Sequence, residues 1–252
     1  MSEGERVRRI GVLVGDTDPV VEHDFQRFLP DGFSFHVGRL DMPESPRLAA
    51  TESLAMMADS APRVARKVAM AEPEIFLFAC TSASFFRGPT TDGDVPRAIT
   101  AATGLPAVST STAVVEALTA LGVRRLFMVT PYSAATNRLE ADFLGHRGFD
   151  VASVLTFDCT MSREVSLIGP SAVRERILGE AAAIRAAGAL FVSCTMVRAI
   201  EIADLLEDEL GVPVVTSNSA ALWAVLTRMG APTAAVRAGR IFRQPPPAQA
   251  AE

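Results

Sequence analysis

Three segments in the first half of the chain recur, in the same order, about 110 residues later. Each pair contains an apolar run, and the middle pair keeps a cysteine at the same point. The pairs are RRIGVLV (8–14) with RRLFMVT (124–130), FLFACTS (76–82) with LFVSCTM (190–196), and GLPAVSTSTAVVEAL (104–118) with GVPVVTSNSAALWAV (211–225). The repeat predicts duplication of one α/β unit. Chance similarity between apolar strands is the alternative.

Apolar runs alternate with longer alanine-rich amphipathic stretches along the whole chain, four runs in each half. This alternation is typical of βα units around a parallel sheet. The runs are IGVLV (10–14), FSFHV (33–37), IFLFA (75–79), PAVS (106–109), LFMVT (126–130), DVASVLTF (150–157), ALFVS (189–193) and PVVTS (213–217). The sequence therefore predicts an α/β fold of two similar lobes related by a pseudo-twofold axis. Each lobe is expected to be a mainly parallel four-stranded sheet flanked by helices, with the active site in the cleft between the lobes.

The repeat also suggests where the lobes begin and end. We expect residues 1–110 together with 218–240 to form the first lobe and residues 111–217 to form the second. The Pro- and Ala-rich segment 241–252 is predicted to be a disordered tail.

The composition favours a protein that acts on small molecules inside the cell. The net charge of −5 comes from interspersed acidic and basic residues, so no surface for nucleic acid or anionic membrane is indicated. No apolar segment reaches the roughly 20 residues that span a bilayer, and the N-terminus does not resemble a secretory signal. We therefore expect a cytoplasmic protein. Three cysteines and three scattered histidines predict neither a disulfide framework nor a metal site.

Two cysteines, Cys80 and Cys194, follow apolar runs at matching points of the repeat. Ligands of open α/β sheets bind beyond the carboxyl ends of the strands, so both thiols are expected to face one cleft. A helix is predicted directly after each cysteine, and its N-terminal amides would lower the thiol pKa and hold a substrate carboxylate. The alternative is that both thiols are small buried core groups. Cys159 has no counterpart in the repeat and is interpreted as structural or pocket-lining.

Residues next to these strand ends are candidate substrate-binding groups. Those beside the cysteines would offer backbone amides, and those after the fourth strand would line the pocket. They are Thr81, Ser82, Thr195, Met196, Ser109 and Thr110, with Ser217 and Asn218 as the repeat counterparts of the last two. Helix capping and turn formation are the alternative roles for such residues.

With both cysteine motifs in place, ACTSAS around Cys80 and SCTMVRA around Cys194, the chain resembles the maleate cis-trans isomerase branch of the aspartate/glutamate racemase superfamily. Relatives in this branch include arylmalonate decarboxylase and an ectoine-utilisation protein. The resemblance extends through RIGVLV, VVEHDF, STSTAVVEALTALGVRR and VTPYSAATN, from about residue 8 to residue 229. It implies two α/β lobes, no cofactor and a homodimer or higher homo-oligomer.

The resemblance also implies roles for individual residues. Cys80 would be the nucleophile that adds to the alkene of maleate, and Cys194 would act from the other face as an acid or positioning group. Tyr132 matches the tyrosine of the family's TPY motif and would bind a substrate carboxylate. Two positions depart from the pattern, because Asp18 and Ser162 stand where maleate isomerases carry asparagine. The sequence around Asp18 is more similar to that of the ectoine-utilisation relative, and a turn before Pro19 is the alternative role for Asp18.

These observations predict a cofactor-independent two-cysteine isomerase of a small carboxylate substrate, with maleate-to-fumarate conversion first. Racemisation or epimerisation of an amino acid or ectoine derivative by two opposed thiols fits the cysteine pair equally well. Arylmalonate-type decarboxylation is a further alternative, although the resemblance implies that such decarboxylases keep only one thiol. A non-catalytic small-molecule binding protein is the alternative from another class. A dinucleotide-binding oxidoreductase and a serine hydrolase are disfavoured, because neither G-x-G-x-x-G nor G-x-S-x-G is present.

Overall fold

The computed structural model describes residues 7–245, and its strands form two separate four-stranded sheets. The strands are β1 (Arg8–Gly15), β2 (Phe33–Leu40), β3 (Ile75–Ala79), β4 (Ala107–Ser109), β5 (Arg125–Thr130), β6 (Asp150–Thr156), β7 (Leu190–Val192) and β8 (Val214–Thr216). Each of the predicted apolar runs coincides with one of these strands. The prediction of four strands in each half is confirmed.

Both sheets are parallel and share one strand order. The first runs β2-β1-β3-β4 and the second runs β6-β5-β7-β8. All five residues of β3 are buried, as expected for a parallel strand covered on both faces. The common order confirms the α/β fold of two similar four-stranded units and is what duplication of one unit predicts. The exact lobe boundaries stay a prediction.

Helices follow most strands and cover the faces of the sheets. They are α1 (Val20–Phe28), α2 (Thr51–Val68), α3 (Thr81–Phe85), α4 (Asp94–Thr103), α5 (Thr110–Ala120), α6 (Ala134–His146), α7 (Ser162–Ser166), α8 (Pro170–Leu178), α9 (Ala181–Ala187), α10 (Ala203–Leu210) and α11 (Ser217–Arg228). Among residues 7–245, none of the helices is both long and apolar enough to cross a membrane.

Helices α5 and α11 begin at equivalent points of the repeat and join the two sheets. Ser109 and Thr216 cap them, because each side-chain oxygen accepts a hydrogen bond from the amide three residues later. The two helices pack against each other, and Trp223 of α11 is fully buried. Their apolar side chains belong to one core cluster that includes residues from both sheets, such as Ile10 and Met128. The two sheets therefore share a core.

The prediction of a helix directly after Cys194 is wrong. Residues 195–199 form turns and irregular structure, a 3-10 helix spans Ile200–Ile202, and α10 begins only at Ala203. Cys194 has a φ of +85°, and the Thr195 carbonyl accepts a hydrogen bond from the Asn218 side chain. These features replace the first turn of a helix. Helix α3, by contrast, begins directly after Cys80 as predicted.

The described part of the predicted tail also differs from expectation. A 3-10 helix spans Arg240–Arg243, and Ile241 and Phe242 are fully buried. The Thr233 hydroxyl donates a hydrogen bond to the Phe242 carbonyl at 2.7 Å. The two apolar side chains thus anchor this segment on the core, which the surrounding prolines obscured in the sequence. The rest of the predicted tail, residues 246–252, lies outside the described residues.

Candidate active site

Cys80 and Cys194 line one small pocket of about 40 Å³ at the carboxyl ends of β3 and β7. Most of the other predicted binding residues line the same pocket. These are Asp18, Thr81, Ser82, Tyr132, Ser162, Thr195 and Met196. The repeat therefore brings both cysteine motifs to one site, as expected from the strand ends.

Cys80 is the residue that precedes α3, and its sulfur accepts hydrogen bonds from the backbone amides of Ser82 and Ala83. The Ser82 hydroxyl lies 3.9 Å from the same sulfur. Burial nevertheless raises the pKa of Cys80 to about 11, because the surrounding protein disfavours the thiolate more than the amides favour it. The expected lowering of the thiol pKa is therefore wrong for this site as it stands, although the predicted amide donors are present.

Cys194 is buried and held in a left-handed backbone conformation with a φ of +85°. The Met196 amide and the Tyr132 hydroxyl lie against its sulfur and favour the thiolate. Burial raises the pKa of the Cys194 thiol well above its ordinary value, and the negative charge of Asp18 adds to this effect. Ionisation of Cys80 would raise it further, and both sulfur atoms line the same pocket.

Tyr132 lies directly beyond β5 and is almost completely buried. Its amide donates a hydrogen bond to the Thr130 hydroxyl at 3.2 Å, and its carbonyl accepts one from the Thr156 hydroxyl at 2.6 Å. The backbone of the TPY motif is therefore fixed from both sides, and the phenol points at Cys194. Burial raises the pKa of Tyr132, so its hydroxyl stays protonated and can donate to a substrate oxygen or to sulfur.

The Asp18 side chain makes two sets of contacts. Oδ1 accepts hydrogen bonds from the amides of Val20 and Val21, the first two residues of α1, at 2.8 Å and 3.2 Å. Oδ2 accepts a hydrogen bond from the Thr195 hydroxyl at 2.7 Å, and the residue lines the pocket. Burial raises the pKa of Asp18, opposed by these hydrogen bonds. A carboxyl group thus lines the pocket together with the two thiols.

Ser162 is buried, begins α7 and lines the pocket. Ser109 and Thr110 are also buried, but they do not line it. Ser109 caps α5, and the Thr110 hydroxyl donates to the Phe78 carbonyl at 3.2 Å. The two residues therefore lie outside the set that lines the pocket, and both hydroxyls are used by the backbone.

The apolar wall of the pocket was not identified from the sequence. Met42 and Leu48 belong to the segment between β2 and α2, while Leu54 and Met57 come from α2. The amide of Leu48 donates to the Thr160 carbonyl at 2.9 Å, so this segment is tied to the loop after β6. Apolar residues of this kind resemble ordinary core in a sequence, and no motif distinguished them.

Comparison with known proteins identifies the family of this chain. A family model described as arylmalonate decarboxylase matches residues 10–242. Maleate isomerase of Nocardia farcinica is 30% identical over 94% of this chain and 96% of its own length. Arylmalonate decarboxylase of Bordetella bronchiseptica is 27% identical over 92% of this chain and 95% of its own length.

A solved structure shows the same fold. It is maleate cis-trans isomerase of Nocardia farcinica, in a cysteine variant with a covalently bound succinylcysteine intermediate. It superposes with a TM-score of 0.85 at 27% identity and covers 94% of this chain and 98% of its own. The predicted resemblance is confirmed, and the chain belongs to the arylmalonate decarboxylase family.

Proposed function

We propose that this protein is a two-cysteine isomerase that converts a small cis-alkene carboxylate of the maleate type into its trans isomer. The observation that carries the proposal is the presence of Cys80 and Cys194 in one pocket, which Tyr132 also lines. Maleate isomerases among the relatives and the succinylcysteine intermediate in one of their structures support it.

The reaction needs a nucleophile, a freely rotating intermediate and an eliminating step. The Cys80 thiolate forms a carbon–sulfur bond with one alkene carbon, and the π electrons move to the other carbon, where a proton supplied by Cys194 completes a saturated adduct. Rotation about the new single bond follows. The Cys194 thiolate then removes a proton from the same carbon, the carbon–sulfur bond breaks, and the trans alkene leaves with Cys80 again a thiolate and Cys194 again a thiol.

The described residues offer substrate oxygens several neutral donors. The amides of Ser82 and Ala83 already point at Cys80, that of Met196 points at Cys194, and the Tyr132 hydroxyl can turn towards a carboxylate. Neutral donors that are already oriented in a buried pocket stabilise the negative charge that develops on the substrate during the reaction. Both thiol pKa values are raised, so the proton that leaves Cys80 on substrate binding passes to a carboxylate of the bound substrate and returns to Cys80 when the product leaves.

Racemisation or epimerisation is the second candidate, and Asp18 is the observation that favours it. A carboxylate at this point would attract a substrate ammonium group and repel the second carboxylate of maleate. Two thiols would then exchange the α-proton, one acting as base and the other as acid. Arylmalonate-type decarboxylation is the third, because a decarboxylase of this family is among the relatives.

Proton NMR in deuterated buffer distinguishes these reactions. The protein is incubated with maleate, with a panel of chiral amino acids and with an arylmalonate, alongside Cys80→Ser, Cys194→Ser and the matched control Cys159→Ser. The proposal predicts fumarate from the wild type and the control and none from the other two variants. Solvent deuterium at an amino-acid α-carbon without fumarate would establish racemisation instead. Carbon dioxide release from the arylmalonate would establish decarboxylation.

We further propose a homodimer or a higher homo-oligomer in the cytoplasm. Light scattering of the purified protein tests the assembly, since a mass of 26.8 kDa would identify a monomer.

A further inference from the structure

The residues on both sides of Cys194 are fixed by buried polar side chains from other helices. The Ser193 hydroxyl donates to Glu140 Oε1 at 2.5 Å, and Glu140 belongs to α6. The Thr195 carbonyl accepts from Asn218 Nδ2 at 2.9 Å, and Asn218 belongs to α11. Glu140 and Asn218 are both buried, and neither lines the pocket.

Asn218 is oriented in turn by Asp24 of α1. Its Nδ2 atom donates a second hydrogen bond to Asp24 Oδ2 at 2.6 Å, and Asp24 is also buried. Asp24 Oδ2 and the Thr195 carbonyl are both acceptors, so they determine which end of the Asn218 amide carries the N–H groups. Asn218 Oδ1 is buried and has no partner among the described residues, which costs free energy. Both N–H groups of Asn218, in contrast, donate hydrogen bonds.

One of these hydrogen bonds is to the carbonyl of Thr195, the residue after Cys194, and the backbone of Cys194 has an unusual conformation. A φ of +85° is unfavourable for a residue with a Cβ atom and persists only where the surroundings impose it. We propose that Asp24 and Asn218 are positioning residues that hold Cys194 in this left-handed conformation through the Thr195 carbonyl, so that its thiol faces Cys80 in the pocket. This inference rests on the proposed two-cysteine function, and Glu140 secures the other side through Ser193.

Removing the amide would let the turn relax to a negative φ and redirect the Cβ atom of Cys194. The thiol would then leave the Tyr132 hydroxyl and become more accessible to solvent. Substrate binding depends mainly on groups elsewhere in the pocket, so turnover should suffer more than affinity. A purely structural role for Asn218 would instead loosen the whole pocket, including Cys80.

Alkylation of single-cysteine proteins tests the proposal without any knowledge of the substrate. The chain has three cysteines, so Cys80→Ser with Cys159→Ser leaves only Cys194, and Cys159→Ser with Cys194→Ser leaves only Cys80. Asn218→Leu removes both donors at similar volume. In the Cys194-only protein we expect it to raise the rate of iodoacetamide alkylation about tenfold. In the Cys80-only protein the rate should stay unchanged.

Turnover and a conservative replacement complete the test in the full three-cysteine chain. Asn218→Leu should lower kcat about tenfold and leave KM within about twofold. Asp24→Leu should reproduce this effect. Asp24→Asn keeps an oxygen that accepts from Asn218 and should restore kcat. Trp223 fluorescence during thermal unfolding reports whether each variant is folded. If Asn218→Leu does not fold, Asp24→Leu is used for the test in its place.

The proposal is overturned if a folded Asn218→Leu or Asp24→Leu protein shows an unchanged Cys194 alkylation rate. It is equally overturned if Cys80 accelerates as much as Cys194. Failure of the proposed function would be seen separately, as an absence of isomerisation in the wild type while the alkylation difference persists.

Discussion

The Thr195 hydroxyl donates a hydrogen bond to Asp18 Oδ2 at 2.7 Å and thereby joins the loop after β7 to the loop after β1. Each loop belongs to a different sheet, and both line the pocket. The contact also places a carboxyl group beside the two thiols, where its charge raises the pKa of Cys80 and of Cys194. Asp18 therefore connects the architecture of the site with its chemistry.

Replacing Asp18 with asparagine should make the enzyme better at processing a dicarboxylate. The new side chain keeps an oxygen for the amides of Val20 and Val21 but removes a charge that opposes thiolate formation and a substrate carboxylate. We expect kcat/KM with maleate to rise about tenfold, the effect of about one pKa unit. The measurement is a steady-state assay of fumarate formation. Asp16→Asn, at an exposed neighbouring position, is the control and should change nothing.

A loss of activity in Asp18→Asn with an unchanged melting temperature would contradict this account. It would show that the carboxylate itself takes part in the reaction, for example by binding an ammonium group of the substrate.

Tyr132→Phe should impair catalysis without unfolding the protein. The aromatic ring remains to fill its buried position, while the hydroxyl that bonds to Cys194 is lost. We expect kcat/KM to fall by between about tenfold and a hundredfold, the usual effect of losing one buried hydrogen-bond donor. Steady-state kinetics and a thermal melt are needed together. Full activity in a folded variant would remove the tyrosine from the mechanism.

Glu140 predicts a dependence of stability on pH. Burial raises its pKa to about 8 from an ordinary value of 4.5, so the native protein retains a proton that the unfolded chain releases across this range. The free energy of unfolding should therefore fall as pH rises from about 4.5 to about 8, by up to about 1.4 kcal/mol per pH unit from this group. Asp24, with a pKa raised to about 6, adds a smaller contribution of the same sign.

Urea unfolding at a series of pH values measures this slope. Glu140→Gln removes the titrating group and should make the curve less steep above about pH 6, where Asp24 no longer titrates, while the buried carboxyl groups of Asp18 and Glu207 still contribute. If the wild type and Glu140→Gln keep the same slope, the carboxyl group of Glu140 is not the source of the pH dependence.

The sequence predicted the sheets well because their signals are local and repeated. Continuous apolar runs such as IFLFA are recognisable wherever a strand is covered on both faces, and the two copies confirmed each other. The cysteines could be placed in one pocket for the same reason, since both follow equivalent strands. Positions with a local motif, such as Tyr132, also came to lie in the site.

Other features depend on contacts between distant residues and could not be predicted. The turn after Cys194 replaces a helix because Asp18 and Asn218 bind Thr195 from far away in the chain. The raised pKa of Cys80 reflects how deeply the pocket is enclosed, which no local pattern reports. The hydroxyls of Ser109 and Thr110 resembled pocket residues, but both are taken up by nearby backbone groups.

Trapping the covalent adduct tests most directly whether Cys80 is the nucleophile and Cys194 its partner. Cys194→Ser is incubated with maleate, and intact-protein and peptide mass spectrometry locate any added mass, with Cys80→Ser treated in parallel. We expect a gain of one maleate on Cys80 in the first variant and no adduct in the second. An adduct on Cys159, or on Cys194 when Cys80 is replaced, would contradict it.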